Sequence, residues 1–200
     1  MRHKIGVYGS GVAENQQAIQ AARELGYALA QRNVIVITGG GSGMPYLVAQ
    51  AAKQQGAEIW GFTPERNALG QQQSYPSDDI TLYDKLFFIP PAYDCAFFLN
   101  EQLSDSLDRS TRLKYRNFLS TTHADAGIIV AGGWGTMNEF TNLLYDGKPV
   151  GILLGTGGLA DELPEWYPRL RKKSESTVRF HRVPTDLVTI LLQDCARSSS

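Results

Sequence analysis

Ala131-Gly132-Gly133-Trp134-Gly135-Thr136-Met137-Asn138-Glu139 is the stretch from which the architecture of the chain can be read. It follows the apolar run Ala126 to Val130, which reads as a buried strand. It precedes Phe140, Leu143 and Leu144, spaced as the apolar face of a helix. The glycines therefore lie in a strand-to-helix turn. Glycine lets such a turn adopt φ > 0 and lets a ligand approach the backbone closely. A helix beginning near Thr136 would present unpaired N–H groups and the positive end of its dipole, an arrangement suited to a phosphate.

The same pattern recurs upstream. Thr38-Gly39-Gly40-Gly41-Ser42-Gly43 follows the apolar run Val34 to Ile37, and Gly9-Ser10-Gly11 follows Ile5 to Tyr8. Further strands are expected at Glu58 to Phe62, Lys85 to Ile89 and Val150 to Leu154, with an edge strand at Thr177 to Val183. Helices are expected over Asn15 to Arg32, through Leu47 and Val48 to about Gly56, from Asp108 to Thr122, from Leu159 to Lys172 and from Pro184 to Cys195. Thr63 to Leu82 reads as an irregular, solvated loop, with a lid as the alternative, and Tyr93 to Leu107 shows no legible pattern. Strands that alternate with helices demand parallel pairing and crossover helices. The expected fold is α/β: a single-domain, Rossmann-like, doubly wound and mostly parallel sheet with helices on both faces. It would span residues 1–196, with a disordered tail at 197–200. In such sheets ligands bind beyond the carboxyl ends of the strands, where all three glycine loops fall.

Composition narrows the function classes. The chain has 200 residues, of which 42% are hydrophobic and 20% charged, as in ordinary globular domains. A net charge of −1 provides no basic field for nucleic acid, and no apolar run approaches membrane-span length. Met1 to Lys4 does not read as a signal peptide. Two distant cysteines, Cys95 and Cys195, make neither a disulfide framework nor a zinc spacing, so a reduced cytoplasmic setting is expected. His3, His123 and His181 are scattered and read as structural; no metal and no cofactor are expected.

The candidate binding residues are Gly9 and Ser10; Gly39, Gly40, Gly41, Ser42 and Gly43; and Gly132, Gly133, Trp134, Gly135 and Thr136. The first loop lacks the complete dinucleotide fingerprint, and no G-x-x-x-x-G-K-[S/T] loop exists. Consecutive glycines carry an entropic cost, and phosphate contact is favoured over tight packing as the reason for Gly39 to Gly43. Thr136 could donate to a phosphate or cap its helix. Thr136-x-x-Glu139 has capping-box spacing, and spacing alone favours a cap for Glu139. Arg109, Arg112 and Arg116 share one helix face, which could meet an anion or a second subunit.

Arg116, fifteen residues, and then Gly132-Gly133-Trp134-Gly135-Thr136-Met137-Asn138-Glu139 resembles the signature of the LOG (LONELY GUY) family, long labelled lysine decarboxylase-like. Gly39 to Met44 resembles that family's other glycine loop. Gly151 to Gly158 is closer to a related branch that includes the molybdenum cofactor carrier proteins. The resemblance implies phosphoribohydrolase chemistry: a nucleoside 5′-monophosphate cleaved to free base and ribose 5-phosphate. Arg116 and Glu139 would be the catalytic pair, and the glycine loops with Thr136 would hold the 5′-phosphate. A carboxylate can stabilise the oxocarbenium-like state of such a cleavage. No lysine stands in a pyridoxal phosphate context. The resemblance also implies a homodimer or larger oligomer. Three positions depart from the pattern: Ala131 replaces a proline, Asn117 a lysine, and Met44-Pro45-Tyr46 follows the first loop where a small residue is usual. Two functions are thus expected. The first is the hydrolase; the alternative is a non-catalytic binding or carrier protein for a phosphorylated small molecule, a nucleotide or a pterin-type molybdenum cofactor.

Overall fold

A computed structural model describes residues 2–12, 15–89, 109–170 and 174–198. The apolar runs form the strands β1 (Lys4–Gly9), β2 (Ile35–Thr38), β3 (Glu58–Thr63), β4 (Lys85–Phe88), β5 (Ala126–Val130), β6 (Val150–Leu153) and β7 (Val178–His181). They pair in the order β4-β3-β2-β1-β5-β6-β7, and every pair is parallel. Parallel strands cannot be joined by hairpins, so helices return across the faces. These are α1 (Gln16–Ala30), α2 (Met44–Gln54), α3 (Ala68–Ser74), α4 (Arg109–His123), α5 (Trp134–Tyr145), α6 (Gly158–Trp166) and α7 (Pro184–Ser198).

The strands alternate their side chains between two cores. Ile5, Val7, Val36, Ile59 and Ile128 face α1, α2 and α7. Tyr8, Ile129 and Ile152 face the other side, against Phe140 of α5 and Leu163 of α6. Each fully buried Leu or Ile contributes about 1.5–3 kcal/mol relative to exposure. The doubly wound, helix-on-both-faces architecture is therefore as expected.

The chain winds from β1 out to β4, then returns to place β5 on the other side of β1. This reversal is a topological switch point, the place where open α/β sheets form a ligand crevice.

Four segments differ from the sequence expectation. Thr63 to Leu82 is not a solvated loop: it holds α3 and a 3₁₀ turn at Ile80–Leu82, and Gln71 within it is buried. Asn67 caps α3 by accepting from Gly70 N–H at 2.9 Å, a local device that leaves no apolar periodicity to read. Helix α5 begins at Trp134, two residues before Thr136. Helix α6 ends at Trp166, where Tyr167–Arg169, with Pro168, turn as a 3₁₀ helix. Helix α7 continues beyond Cys195 to Ser198, into the expected tail. Tyr93 to Leu107, with Cys95, lies outside the described residues. Among the described residues no helix is long and apolar enough to cross a membrane, and no cluster of His, Cys, Asp or Glu could hold a metal ion.

Candidate ligand cleft

Strands β2, β1 and β5 are neighbours, so the loops leaving their carboxyl ends stand side by side. They enclose a cleft of about 340 Å³. Of the sequence-predicted residues, Gly9, Ser10, Gly39, Gly41, Ser42, Gly133, Gly135, Thr136, Arg116 and Glu139 border it. Gly40, Gly43, Gly132 and Trp134 do not, and Trp134 is 90% exposed.

The β5–α5 turn is built by two left-handed residues, Ala131 (φ 55°) and Gly132 (φ 105°). The Ala131 N–H donates to Thr156 Oγ1 at 2.8 Å, and that hydroxyl donates on to the Leu153 carbonyl at 2.7 Å. The Gly132 carbonyl accepts from Leu159 N–H at 2.8 Å. The entry to α6 thus props the turn from below. A proline cannot take φ near +55° and has no N–H for Thr156. The proline of the LOG pattern is therefore incompatible with this backbone.

Gly133 is the N-cap of α5, and the first helical bond runs from Met137 N–H to Gly133 O at 2.8 Å. The N–H groups of Trp134, Gly135 and Thr136 lie ahead of it and have no hydrogen-bond acceptor among the described residues, as at any helix start. A Cβ placed on Gly133 or Gly135 would meet nothing within 4 Å. Among the described residues these two glycines have no steric reason, and the space beside them at the start of α5 is open.

Thr136 lies inside the helix, 3% exposed, with its side chain packed under Gly132. It cannot be the cap, so the capping-box reading of Glu139 is overturned. Glu139 points inward from the second turn and is 5% exposed. Its Oε1 lies 3.6 Å from Arg116 Nη1 of α4, an ion pair too long for a hydrogen bond. Arg116 Nε and the Tyr8 hydroxyl are buried beside them without a hydrogen-bond partner among the described residues. Burial pushes the Glu139 carboxyl up to about 7, against the opposing pull of Arg116.

The β2–α2 loop is a different object. Each of its glycines is accounted for by protein atoms. A Cβ on Gly39 would collide with the Arg116 guanidinium; one on Gly41 would sit 2.7 Å from the Tyr75 ring. Gly40 has φ 69° and its carbonyl accepts from the buried Gln71 amide; Gly43 has φ 100° and abuts the Ser10 carbonyl. The Ser42 hydroxyl donates to Asp78 at 2.9 Å. At the start of α2, Met44 N–H donates to Ser10 O at 2.9 Å and Pro45 has no N–H. At the start of α2 one N–H is therefore taken and the next is missing, whereas α5 has no proline in its first turn, so α5 is the richer of the two helix starts for an anion.

One further expectation changes. Arg109, Arg112 and Arg116 do not act as one face. Arg112 Nε donates to Pro64 O at 2.7 Å, Arg109 Nη2 to the Tyr75 hydroxyl at 3.2 Å, and Arg116 turns to Glu139. The Gly155 to Gly158 loop does not border the cleft, and its Gly155 and Gly157 N–H groups donate to Asp161 at 2.6 and 2.9 Å. Asn117 ties α4 to α5, its amide donating to Asn138 Oδ1 at 3.0 Å and approaching Gly135 O at 3.4 Å.

Sequence reasoning missed Tyr8, Pro45, Tyr75 and Leu113, which also line the cleft. For Tyr8 a signal existed. Gly6 stands two residues earlier on the same strand face, and a Cβ there would strike the Tyr8 ring.

Fold and cleft together define a Rossmann-like protein with a cleft at the switch point of its parallel sheet. Residues 2–85, from β1 to β4, match the model of the SLOG cluster4 family. The resemblance to the LOG family with the molybdenum cofactor carrier branch therefore holds, although Arg116 and Glu139 lie outside the matched segment. An uncharacterized protein of Archaeoglobus fulgidus is 24% identical over 150 residues, 75% of this chain and 79% of its own. Among solved structures, TM1055 is 22% identical with a TM-score of 0.71, over 96% of this chain and 99% of its own. A molybdenum cofactor binding protein of Rippkaea orientalis is 19% identical with a TM-score of 0.68, over 96% and 97%. The molybdenum cofactor carrier protein of Chlamydomonas reinhardtii is 20% identical with a TM-score of 0.66, over 98% and 99%. The DNA processing protein A of Helicobacter pylori, whose structure concerns single-stranded DNA binding, is 16% identical with a TM-score of 0.64, over 96% and 81%. At these identities the likeness shows the fold.

The buried carboxyl makes a prediction about stability. The folded protein keeps the Glu139 proton up to about pH 7, whereas the unfolded chain releases it near 4.5. Between these values the native state binds more protons, so stability falls as pH rises, and the penalty is complete above about 7. Glu139→Gln removes the titration. Its melting temperature, measured against wild type, should be raised more at pH 8 than at pH 4. An equal shift at both pH values would show that Glu139 carries no buried charge.

Proposed function

We propose that the cleft binds a phosphorylated small molecule, and that the protein serves as a binding or carrier protein for a phosphorylated nucleotide or pterin-type cofactor. The observation that carries this reading is the open pair Gly133 and Gly135 at the first turn of α5, beside a β2–α2 loop whose glycines are each met by protein atoms. The phosphoryl group lies on that helix start, where the dipole and main-chain donors meet it. Arg116, at the floor, supplies the balancing charge. The molybdenum cofactor proteins that share this fold support the same ligand chemistry.

A DNA-binding role of the kind associated with DNA processing protein A is less well supported. The chain carries a net charge of −1, and Arg109 at the cleft already faces Glu65 at 3.5 Å. Strand binding needs a net positive groove.

A second reading, the phosphoribohydrolase, is favoured by Glu139. A carboxyl held near 7 beside an arginine can exchange a proton at neutral pH and can stabilise a cationic sugar when ionised.

One experiment separates the two. The protein is titrated with AMP and a pterin monophosphate by calorimetry, and the same mixtures are chromatographed for free base and ribose 5-phosphate. The carrier reading expects saturable binding with the ligand recovered intact. Release of base by wild type, lost in Glu139→Gln, would establish the hydrolase instead. Absence of binding by any phosphorylated ligand would remove both.

A further inference from the structure

We infer that Tyr75 and Arg109 form a platform that stacks the planar, nitrogen-rich ring of the ligand, and so decide which phosphorylated molecules the cleft accepts. This inference rests on the proposed phosphoryl site at α5 and adds the other end of the same ligand.

The cleft has two unlike ends. On the β5 side are the bare donors of α5. On the β2 side the wall is made by Gly41, Pro45, Tyr75, Arg109 and Leu113. Strands lie about 4.8 Å apart, so the loops of β2 and β5, with β1 between them, are separated by about 10 Å. That is the reach from a phosphoryl group, across a sugar or a fused pyran, to a heterocycle. A free phosphate or a phosphosugar alone leaves the β2 end empty.

That wall is held in place by groups that serve no other evident purpose. Tyr75 ends α3, its N–H donating to Gln71 O at 2.9 Å. Gln71 is 2% exposed; its amide donates to the Gly40 carbonyl, and its oxygen accepts from the Thr63 hydroxyl. The same residue thus locks the glycine loop and the segment that presents the ring. Gly41 lacks a Cβ where one would sit 2.7 Å from the Tyr75 ring, so the ring seats directly on the loop backbone. Arg109 Nη2 donates to the Tyr75 hydroxyl at 3.2 Å, and its Nε lies 3.5 Å from Glu65 Oε1. Glu65 is itself buried, 7% exposed.

The hydrogen bond sets a phenol and a guanidinium, both planar and polarisable, side by side on the wall. Both groups stack on heteroaromatic rings, and the apolar Pro45 and Leu113 line the same cleft. The surface carries no donor–acceptor pattern that would distinguish one bicyclic ring from another, so purine and pterin rings are both admitted on the same terms.

The test is calorimetric, with three probes: AMP, a pterin monophosphate and ribose 5-phosphate. Wild type is expected to bind at least one ring-bearing probe about tenfold or more tighter than ribose 5-phosphate, the range of one base stacked on one aromatic. Which ring gains more identifies the natural class. Tyr75→Ala should erase that margin and leave ribose 5-phosphate affinity unchanged, which also shows that the variant is folded. Tyr75→Phe keeps the ring and should retain most of the margin. An equal loss for all probes in Tyr75→Ala, or no margin in wild type, overturns the platform while leaving the phosphoryl site intact. Failure of every probe to bind wild type overturns both.

Discussion

Ala131→Pro is expected to destabilise the protein by about 3 kcal/mol or more, although proline is what the LOG pattern carries there. Ala131 has φ 55°, in the left-handed region, and its N–H donates to Thr156 Oγ1 at 2.8 Å. Proline holds φ near −65° and removes the donor, so the turn must rebuild. Rebuilding reaches further than one residue. Thr156 is fully buried, and Gly132 and Ala131 accept from the first N–H groups of α6 at 2.8 and 3.2 Å. The whole seam between β5 and β6 moves with it. Ala131→Gly is the control. It keeps the N–H and relieves the strain of a Cβ at positive φ, and should be neutral or stabilise by up to about 1 kcal/mol. Urea unfolding of the three proteins measures both. A proline variant with a wild-type midpoint would show that this turn is not left-handed.

Gly135→Ala is expected to separate folding from binding. Gly135 is in the first turn of α5, and a Cβ there meets no protein atom within 4 Å. Alanine is the better helix former, so stability should hold or rise by up to about 1 kcal/mol. The methyl group stands where a phosphoryl oxygen must approach the N–H groups of Trp134, Gly135 and Thr136. Losing charge-assisted hydrogen bonds of that kind lowers affinity for AMP or ribose 5-phosphate roughly 10- to 100-fold. Calorimetry at constant ionic strength reads the loss, and thermal melting shows the gain or its absence. Wild-type affinity in Gly135→Ala would place the phosphoryl group elsewhere in the cleft.

Part of the site was legible because local sequence sets local backbone. The glycines at 9, 39 and 132 follow apolar runs, and strand-then-glycine-then-helix is a short-range pattern. Arg116 and Glu139 were found only through resemblance, since a lone arginine and a glutamate at capping spacing have common structural uses. Contact between helices settled the matter: α4 and α5 bring the two side chains to 3.6 Å, and the helix start at Trp134 removes the cap. Tyr75, Arg109 and Gln71 could not be read, because their roles depend on where residues 30 or more positions away come to rest.

By itself, the sequence determined the order of strands and of every helix but α3, the parallel pairing, and the placement of glycine loops on the carboxyl edge of the sheet. These follow from apolar periodicity and from chain connectivity, which act over a few residues at a time. Only the tertiary structure decided which glycines make room for protein and which stay open. It also decided that Glu139 faces inward, protonated to near neutrality. Steric room and desolvation are properties of the atoms that surround a group, and in this fold those atoms arrive from distant parts of the chain.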